Sequence, residues 1–345
     1  MLFLHKKVGR KMAAIDTLIA LVGQYRQLGI DSQIDYEKFY LYSIITHSTA
    51  IEGSTVTEIE NQLLFDEGIS AKGKTITEQL MNLDLKMAYE ESIKLARKHA
   101  DFSIEMLKRL SSLVMQRTGS TYKTALGDFS SADGDLRLVN VTAGVGGKSY
   151  MSYQKVPAKL EEFCRWVNAE RAKPMSSAQR YNFSFEAHYR LVTIHPWADG
   201  NGRMARLIMN YLQFEFGLIP AKILKEDKGD YINALVATRE NEDLGIFLEF
   251  MATEMVKTLS GDIRSFLEST REESREKPMS GREKKTKSRE KILAVLKLHP
   301  EYSAAKLAEE IGITDKGVEK QLAKLKAEGR LIRVGPDKGG HWEVR

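Results

Sequence analysis

The sequence predicts a mainly α-helical protein with a small β-hairpin, followed by a separate small domain of helices and a C-terminal hairpin. Apolar residues recur at helical spacing along most of the first 268 residues. A stretch rich in glycine, serine and β-branched residues interrupts this pattern once, and an almost wholly polar segment precedes residues 288–345. A length of 345 residues suits two or three domains, each with its own core.

Each predicted helix rests on its apolar periodicity, and the predicted hairpin rests on the absence of that periodicity. In residues 127–155, Leu136–Val141 alternates as a strand does, and Gly144, Gly146 and Gly147 indicate a flexible tip. One helix should end near Ile194, because the residue before Pro196 resists the α conformation. The predicted helices cover residues 11–28, 35–52, 78–98, 103–116, 156–170, 178–194, 204–212, 229–240 and 243–268.

The composition places the chain among globular proteins of a reducing compartment. Charged residues make up 29% of the sequence and hydrophobic residues 42%. Cys164 is the one cysteine, which excludes an intramolecular disulfide and a cysteine-built zinc site, and no His pair with a third ligand indicates zinc. Since no apolar stretch reaches about 18 residues, we expect a cytoplasmic protein that makes no contact with a membrane.

The net charge of +5 is concentrated at the C-terminal end. Residues 282–345 carry +6 and the rest of the chain carries −1. The polar residues 269–287, which include Pro278 and Gly281, are typical of a linker between domains. The basic charge therefore raises the question of nucleic acid only for the last domain.

The densest chemical signal is a Gly-Asn-Gly loop that leads into a helix. Unpaired N–H groups and the positive end of the helix dipole attract an anion there, and the glycines let a phosphate come close to the backbone. The residues of this motif are His195-Pro196-Trp197-Ala198-Asp199-Gly200-Asn201-Gly202-Arg203-Met204-Ala205-Arg206.

The charged residues of the motif complete a site for phosphate chemistry. Arg203 and Arg206 are three residues apart, so both guanidinium groups can project from one side of the helix. Asp199 can hold Mg²⁺ against the same phosphates. His195, with an ordinary pKa of about 6.5, is largely neutral at pH 7 and can accept a proton. This set indicates phosphoryl-type transfer from a nucleotide to a hydroxyl.

The motif closely resembles the Fic family signature, H-x-F-x-(D/E)-G-N-G-R-x-x-R, and departs from it only at Trp197. We expect Trp197 to be a buried packing residue. The resemblance implies a Fic-type helical bundle over residues 101–268, with a hairpin flap at 136–155. It also implies transfer of AMP from ATP to a Tyr, Thr or Ser hydroxyl of a target protein, with release of pyrophosphate.

The resemblance also implies a role for each site residue. His195 would deprotonate the target hydroxyl, and Asp199 would hold Mg²⁺ or Mn²⁺ on the α- and β-phosphates. Tyr231 would line the adenine pocket, although simple packing in the core is an equal alternative. The flap at about 136–155 would bind the target protein by strand addition. The phosphates of ATP would contact Gly200, Asn201, Gly202, Arg203 and Arg206.

A second motif indicates autoinhibition. Ser48 and Glu52 are four residues apart on one helical face, and Gly53 is a helix stop. The segment resembles the family's inhibitory motif, (S/T)-x-x-x-E-(G/N), placed before the catalytic motif as in class II. The resemblance implies that residues 1–100 are an N-terminal helical region with an inhibitory helix at about 36–53. In it, Glu52 would pair with Arg206 and block the γ-phosphate site.

Residues 288–345 resemble a winged helix-turn-helix domain in the order of their elements: a helix, a helix-turn-helix, then a hairpin. The presumed recognition helix, 315–328, has lysines but also acidic residues, and Gln321 is its only residue at a clear base-reading position. Arg333, Lys338 and His341 could contact phosphate. Contact with DNA and contact with protein both stay open.

Three other functions remain to be weighed. Glu52 could orient a water molecule, which would make the chain a phosphodiesterase that removes AMP from a modified protein. The chain could instead be a DNA-binding regulator whose Fic core senses nucleotide, but the intact motif argues against this. Phosphate transfer, as in the Doc branch of the family, is disfavoured because Arg206 is present.

Overall fold

The computed structural model describes two compact units, residues 1–270 and 271–345. The described residues are 13–143, 148–275, 292–293, 295–297, 299–311, 314–336 and 340–345.

The first unit has a helix at each position that the periodicity predicts. It also has one helix that the periodicity did not predict, α3, which opens with a capping box between Thr57 and Glu60. The ends of the helices agree with the predictions within a few residues, and residues 11–12 lie outside the described part. The helices are α1 (Ala14–Gln27), α2 (Tyr36–Ile51), α3 (Glu58–Glu67), α4 (Ile76–Arg97), α5 (Ile104–Val114), α6 (Val156–Arg171), α7 (Ser177–Ile194), α8 (Asn201–Glu215), α9 (Lys228–Asn241) and α10 (Leu244–Arg275).

Helix α8 lies at the centre of this unit and packs mainly against α7 and α4. Almost all of its residues are buried, including polar ones. Burial of a charged side chain is costly unless it has partners. Two arginines in a central helix therefore indicate that this part of the core is built for a purpose other than stability. The buried polar residues of α8 are Asn201, Arg203, Arg206, Asn210 and Gln213.

The regular hairpin lies before the predicted one. Strand β1 (Thr121–Thr124) pairs antiparallel with β2 (Gly127–Ser130) through a two-residue turn, and Thr121 lies opposite Ser130. The sequence predicts a hairpin within residues 127–155, with Leu136–Val141 as one strand. That strand does not form. Its backbone is instead held by the side chain of Arg137, which donates to carbonyls on both arms of the flap.

The flap itself is a short antiparallel arm at about 140–150. Thr142 and Ser149 form an isolated bridge, and the N–H of Tyr150 donates to the carbonyl of Val141 at 3.0 Å. The predicted tip with Gly144, Gly146 and Gly147 lies outside the described residues. The predicted hairpin flap is thus present, but with less regular pairing than the alternation of 136–141 suggests.

Helix α10 corrects the start of the predicted linker. It continues to Arg275, so residues 269–275 are helical. Glutamate and arginine are good helix formers, so this polar segment extends a helix even though its apolar periodicity has ended. Residues 276–287 of the predicted linker lie outside the described part of the chain.

The second unit has its own small core. Its named elements are α11 (Ala304–Ile311), α12 (Asp315–Ala327), β3 (Leu331–Val334) and β4 (His341–Val344), and residues 292–293 and 295–297 are helical. The strands pair antiparallel, with Leu331 opposite Val344. This is the predicted order of elements, but the winged-helix assignment and its contact with DNA or protein stay predictions. Lys338 lies outside the described residues. No described helix has the length and apolar content to cross a membrane.

Replacement of Leu325 by alanine should destabilise the second unit alone. Its side chain is fully buried in the second core, and such a cavity costs about 2–5 kcal/mol. Hydrogen exchange should accelerate at 304–334 and stay unchanged in α7 and α8. Lys324→Ala, at the exposed neighbouring position, is the control. Equal acceleration in α8 would contradict two separate cores.

Candidate functional site

His195 stands at the junction between α7 and the catalytic loop. It caps α7 in the left-handed conformation, with φ of 52°, which turns the chain sharply out of the helix. Its ring stacks on that of Tyr150 from the flap, with centroids 3.7 Å apart. Nδ1 lies 3.3 Å from the carbonyl oxygen of Val192. The flap therefore covers one face of the imidazole.

Arg137 fixes the backbone on both sides of this junction. Its side chain is buried, and its Nε donates to the carbonyl of His195 at 2.8 Å. Its N–H donates to the carbonyl of Pro196 at 3.0 Å, and its other guanidinium nitrogens donate to Val139 and Met151 of the flap. Sequence reasoning did not identify this residue as part of the site. It joins the flap to the histidine.

The Gly-Asn-Gly loop is closed by the side chain of Asn201. Its Oδ1 accepts from the N–H of Trp197 at 3.1 Å, and its Nδ2 donates to the carbonyl of the same residue at 2.8 Å. Trp197 is fully buried, as expected from the sequence, and its indole N–H donates to the carbonyl of Gly134. Gly200 has φ of 81° and its Cα lies against Met115, so a side chain there would be both strained and crowded.

The two motif arginines differ in how well their charges are satisfied. Both are 3% exposed. Nε of Arg203 is buried without a hydrogen-bond partner, and its Nη2 lies 3.1 Å from Sδ of Met115 and 3.5 Å from Oδ1 of Asp199. An under-satisfied buried cation at a helix N-terminus is a strong site for an anion.

Arg206, by contrast, is fully engaged by helix α2. Its Nε donates to Oγ of Ser48 at 2.8 Å, and its Nη2 donates to the carbonyl of Ser48 at 2.9 Å and to Oε1 of Glu52 at 2.6 Å. A Cβ on Gly202 would lie 2.7 Å from the same Oε1. Glu52 thus presses its carboxylate into the space beside the glycine loop.

Electrostatics favour the ionised pair. Burial by itself would raise the pKa of Glu52, but the charge and hydrogen bond of Arg206 outweigh burial and lower this pKa. The carboxylate in turn raises the pKa of Arg206 against the effect of burial. Burial lowers the pKa of His195 to about 4, and the charge of Arg137 acts in the same direction. His195 is therefore a neutral ring across the physiological pH range.

Asp199 offers one exposed carboxylate beside the glycine loop. Its side chain is 56% exposed at the mouth of the loop, and Oδ1 accepts from the N–H of Gly200 at 2.6 Å. No described residue donates to Oδ2. Groups of three or more His, Cys, Asp or Glu at metal-binding distances are absent from the described ranges. One carboxylate plus phosphates is the usual arrangement for Mg²⁺, so the residues fit that ion.

Tyr231, for which adenine contact and core packing are equal alternatives in the sequence, lies in the core of the first unit. Its ring is 2% exposed, packs beside Phe247, and lies 5.9 Å from the guanidinium carbon of Arg206. Its hydroxyl is hydrogen-bonded to Nε2 of His188, whose pKa is lowered to about 3 by burial. The packing alternative is thus the one that the geometry supports. Tyr231 lies behind Arg206 in the core.

The next residue, Ile232, faces a cavity that sequence reasoning missed. This cavity, of about 320 Å³, lies between the flap, the end of α7 and one face of α9. Its walls are mostly apolar, and Nε of Arg239, which also lines it, has no hydrogen-bond partner. An exposed apolar side chain, Ile232 at 44%, is the feature that indicates this cavity. Its exposure can be read only from the structure. The lining includes Tyr150, Met151, Val192, Thr193, Ile232, Leu235, Val236 and Arg239.

The part of the chain that holds this site matches a model of a known protein family. Residues 101–213, which include the loop and both arginines, match the model of the Fic/DOC family. The protein adenylyltransferase Fic of Drosophila persimilis is 30% identical to the chain over 218 residues, which are 62% of this chain and 39% of that relative. The chain therefore spans well under half the length of this curated relative.

Solved structures share the fold. A Fic domain containing signaling protein from Bacteroides thetaiotaomicron has a TM-score of 0.60 at 21% identity, covering 72% of this chain and 94% of its own. A Fic family protein from Desulfovibrio desulfuricans has a TM-score of 0.60 at 18% identity, covering 97% of each chain. Both are similar to the chain in architecture.

An NMR titration of histidine rings should place the pKa of His195 near 4, against about 6.5 for an ordinary histidine. The cause is burial, to which the stacked ring of Tyr150 contributes. Tyr150→Ala should therefore move this pKa towards 6.5. A His195 that titrates near 6.5 in the unchanged protein would contradict the buried, neutral ring.

Proposed function

Because residues 101–213 match the model of the Fic/DOC family, we propose that this chain is an autoinhibited protein adenylyltransferase of that family. It would transfer AMP from ATP to a Tyr, Thr or Ser hydroxyl of a target protein. The observation that carries the proposal is the buried, unpartnered Nε of Arg203 at the same loop that presents the neutral ring of His195. One group awaits an anion, and the other can accept a proton.

In the proposed step, the target's hydroxyl oxygen bonds to the α-phosphorus of ATP. The hydroxyl proton passes to Nε2 of His195, and the bond from the α-phosphorus to the bridging oxygen breaks, releasing pyrophosphate. The contact of Nδ1 with the carbonyl of Val192 supports this assignment, because a proton on Nδ1 leaves Nε2 free as the acceptor. Arg137 would keep the ring in position through the backbone.

The phosphates would lie along the N-terminus of α8. Backbone N–H groups of Gly200 to Gly202 and the guanidinium of Arg203 supply positive charge there. The side chain of Asn201 is committed to Trp197, so it supports the shape of the loop and offers the phosphates its backbone. Mg²⁺ or Mn²⁺, when bound, would neutralise charge on the α- and β-phosphates, and Asp199 would hold it.

The nucleotide base would occupy the cavity beside Ile232. This cavity adjoins Val192 and Thr193, one turn before His195, so a base there places the phosphates towards the loop. Apolar walls with a few polar groups are usual for such a site. The target protein would dock on the flap at about 136–155, whose Tyr150 stacks on one face of the His195 ring.

Glu52 supplies the proposed autoinhibition. Its carboxylate accepts from Nη2 of Arg206, a group that would otherwise be offered to a γ-phosphate, and it adds a negative charge where phosphate charge must lie. A nucleotide that is turned away from Arg206 cannot align its α-phosphorus with the target hydroxyl. Release of Glu52 would therefore precede productive binding of ATP.

Removal of AMP from a modified protein is the second candidate. The carboxylate of Glu52 is close enough to His195 for its charge to act on the pKa of that ring. A water molecule between the two groups would be oriented to attack a phosphodiester. In this alternative Glu52 is required for activity, whereas in the first proposal it opposes activity.

Glu52→Gly should raise incorporation of labelled AMP, into the chain itself or into target proteins of a lysate, by about tenfold or more. Loss of the carboxylate frees Arg206 for the nucleotide, and tenfold corresponds to about 1.4 kcal/mol of relieved inhibition. Glu67→Gly is the matched control, because it removes another glutamate that ends a helix before a glycine. Equal labelling in wild type and Glu52→Gly would refute the autoinhibition.

The double variant His195→Ala/Glu52→Gly is the negative control of this assay. It should abolish transfer and keep nucleotide binding measurable. Purified AMP-modified target separates the two activities: release of AMP by the wild type, lost in Glu52→Gly, would favour the phosphodiesterase.

Ile232→Glu should weaken ATP binding by about tenfold, because it places a negative charge and a hydrated group in the apolar cavity. Calorimetry in the Glu52→Gly/His195→Ala background measures affinity without turnover. Ile59→Glu, at a 73% exposed position on α3, is the control and should bind as the parent does. Unchanged affinity for Ile232→Glu would place the base elsewhere.

A further inference from the structure

A buried cluster of polar side chains surrounds Asn82, on α4, close to the end of the inhibitory helix. Asn82 is fully buried. Its Oδ1 accepts from Oγ1 of Thr49 at 2.7 Å and from Nδ2 of Asn61 at 2.8 Å. Its Nδ2 donates to Oγ of Ser54 at 3.1 Å and to the carbonyl of Glu78 at 2.8 Å. All four hydrogen-bonding positions of this amide are therefore used.

The partners of Asn82 flank the inhibitory residue. Thr49 lies in the last turn of α2 and Ser54 follows the helix, so Glu52 stands between two anchored positions. The backbone of this turn is also closed on Thr49, whose carbonyl accepts from the N–H groups of Glu52 at 3.0 Å and Ser54 at 3.1 Å. Through one side chain, α4 thus holds both ends of the segment that carries Glu52.

The position of Glu52 depends on this hold. Glu52 lies beyond the last helical residue, in a turn that ends at Gly53 with φ of 108°. Its own side chain is 32% exposed and has one described ion-pair partner, Arg206. The turn is also held by Ser48, whose hydroxyl and carbonyl accept from Arg206, and by Thr49 and Ser54, which bond to Asn82 in the interior. Asn82 bonds on both sides of Glu52, whereas Ser48 holds only the helix before it.

We propose that Asn82 is a positioning residue for autoinhibition: its buried amide holds the end of α2 so that Glu52 stays on Arg206. This inference rests on the proposed function. Loss of the amide would remove the four hydrogen bonds of a buried side chain that joins α2, α3 and α4, and would favour arrangements in which the turn moves off α8. Asn82 touches no part of the catalytic loop, so its loss would raise activity, the opposite of what general destabilisation does.

The test is the rate of AMP incorporation in four chains: wild type, Asn82→Ala, Glu52→Gly and the double variant. Asn82→Ala should raise the rate about fivefold, to at most the level of Glu52→Gly. The double variant should match Glu52→Gly within about twofold, because an absent carboxylate cannot be positioned. Thr49→Val, which removes one hydroxyl and keeps the shape, should raise the rate by a smaller factor and serves if Asn82→Ala does not fold.

Asn168→Ala is the matched control. Its amide likewise bridges two elements, since it exchanges two hydrogen bonds of 2.9 Å with the backbone of Phe102, far along the chain from the inhibitory helix. It should lower the melting temperature as Asn82→Ala does and leave the rate unchanged in both backgrounds.

The outcomes separate the two proposals. If Glu52→Gly does not raise the rate, the autoinhibition itself fails. If Glu52→Gly raises the rate but Asn82→Ala and Thr49→Val do not, only the role of Asn82 fails. A further rise in the double variant above Glu52→Gly would also overturn it, since Asn82 would then act on something other than Glu52.

Discussion

The buried guanidinium of Arg206 is the constraint around which the catalytic unit is arranged. A cation that is 3% exposed in a central helix must be compensated, because loss of hydration costs several kcal/mol per ion. Helix α2 supplies the compensation through Ser48 and Glu52, and the ring of Tyr231 lies against the other side. The pair of Glu52 with Arg206, which would inhibit the enzyme, therefore also compensates the buried charge of Arg206. The proposed inhibition and the stability of the nucleotide-free protein thus depend on the same contact.

Arg203, the other motif arginine, is a buried cation without such compensation. Arg203 is equally buried, yet its Nε has no partner and its contacts with Met115 and Asp199 are long or weak. In the proposed function, an incoming triphosphate would gain the guanidinium of Arg203 and would have to displace a carboxylate at Arg206. Arg203 is thus the less satisfied of the two arginines, and Arg206 is the occupied one. On this proposal, a nucleotide could bind without being aligned for transfer.

Features formed by residues close together in the sequence were predictable, whereas contacts between residues far apart in the sequence were not. The loop from His195 to Arg206 is local, so residue types and spacing predicted its geometry, including a buried Trp197. The pairing of Glu52 with Arg206 joins residues 154 positions apart, and only the resemblance to a family supplied it. Periodicity could not predict α3, because its apolar residues are sparse. It also could not decide whether Gly127–Ser130 pairs with the segment before it or with the segment after it. It also missed Asn82, because a polar residue on an apolar face has meaning only once its partners are known.

The low pKa of His195 connects the flap to the chemistry. A base with a pKa of about 4 is always neutral at pH 7, but it is also a weak acceptor, and proton transfer is best when the pKa lies near the working pH. Two events of the proposed reaction raise that pKa. The charge of the triphosphate stabilises the protonated ring, and movement of Tyr150 as a target docks on the flap relieves its burial. In the proposed reaction, His195 would thus be a weak base in the empty site and a stronger base when both substrates are bound.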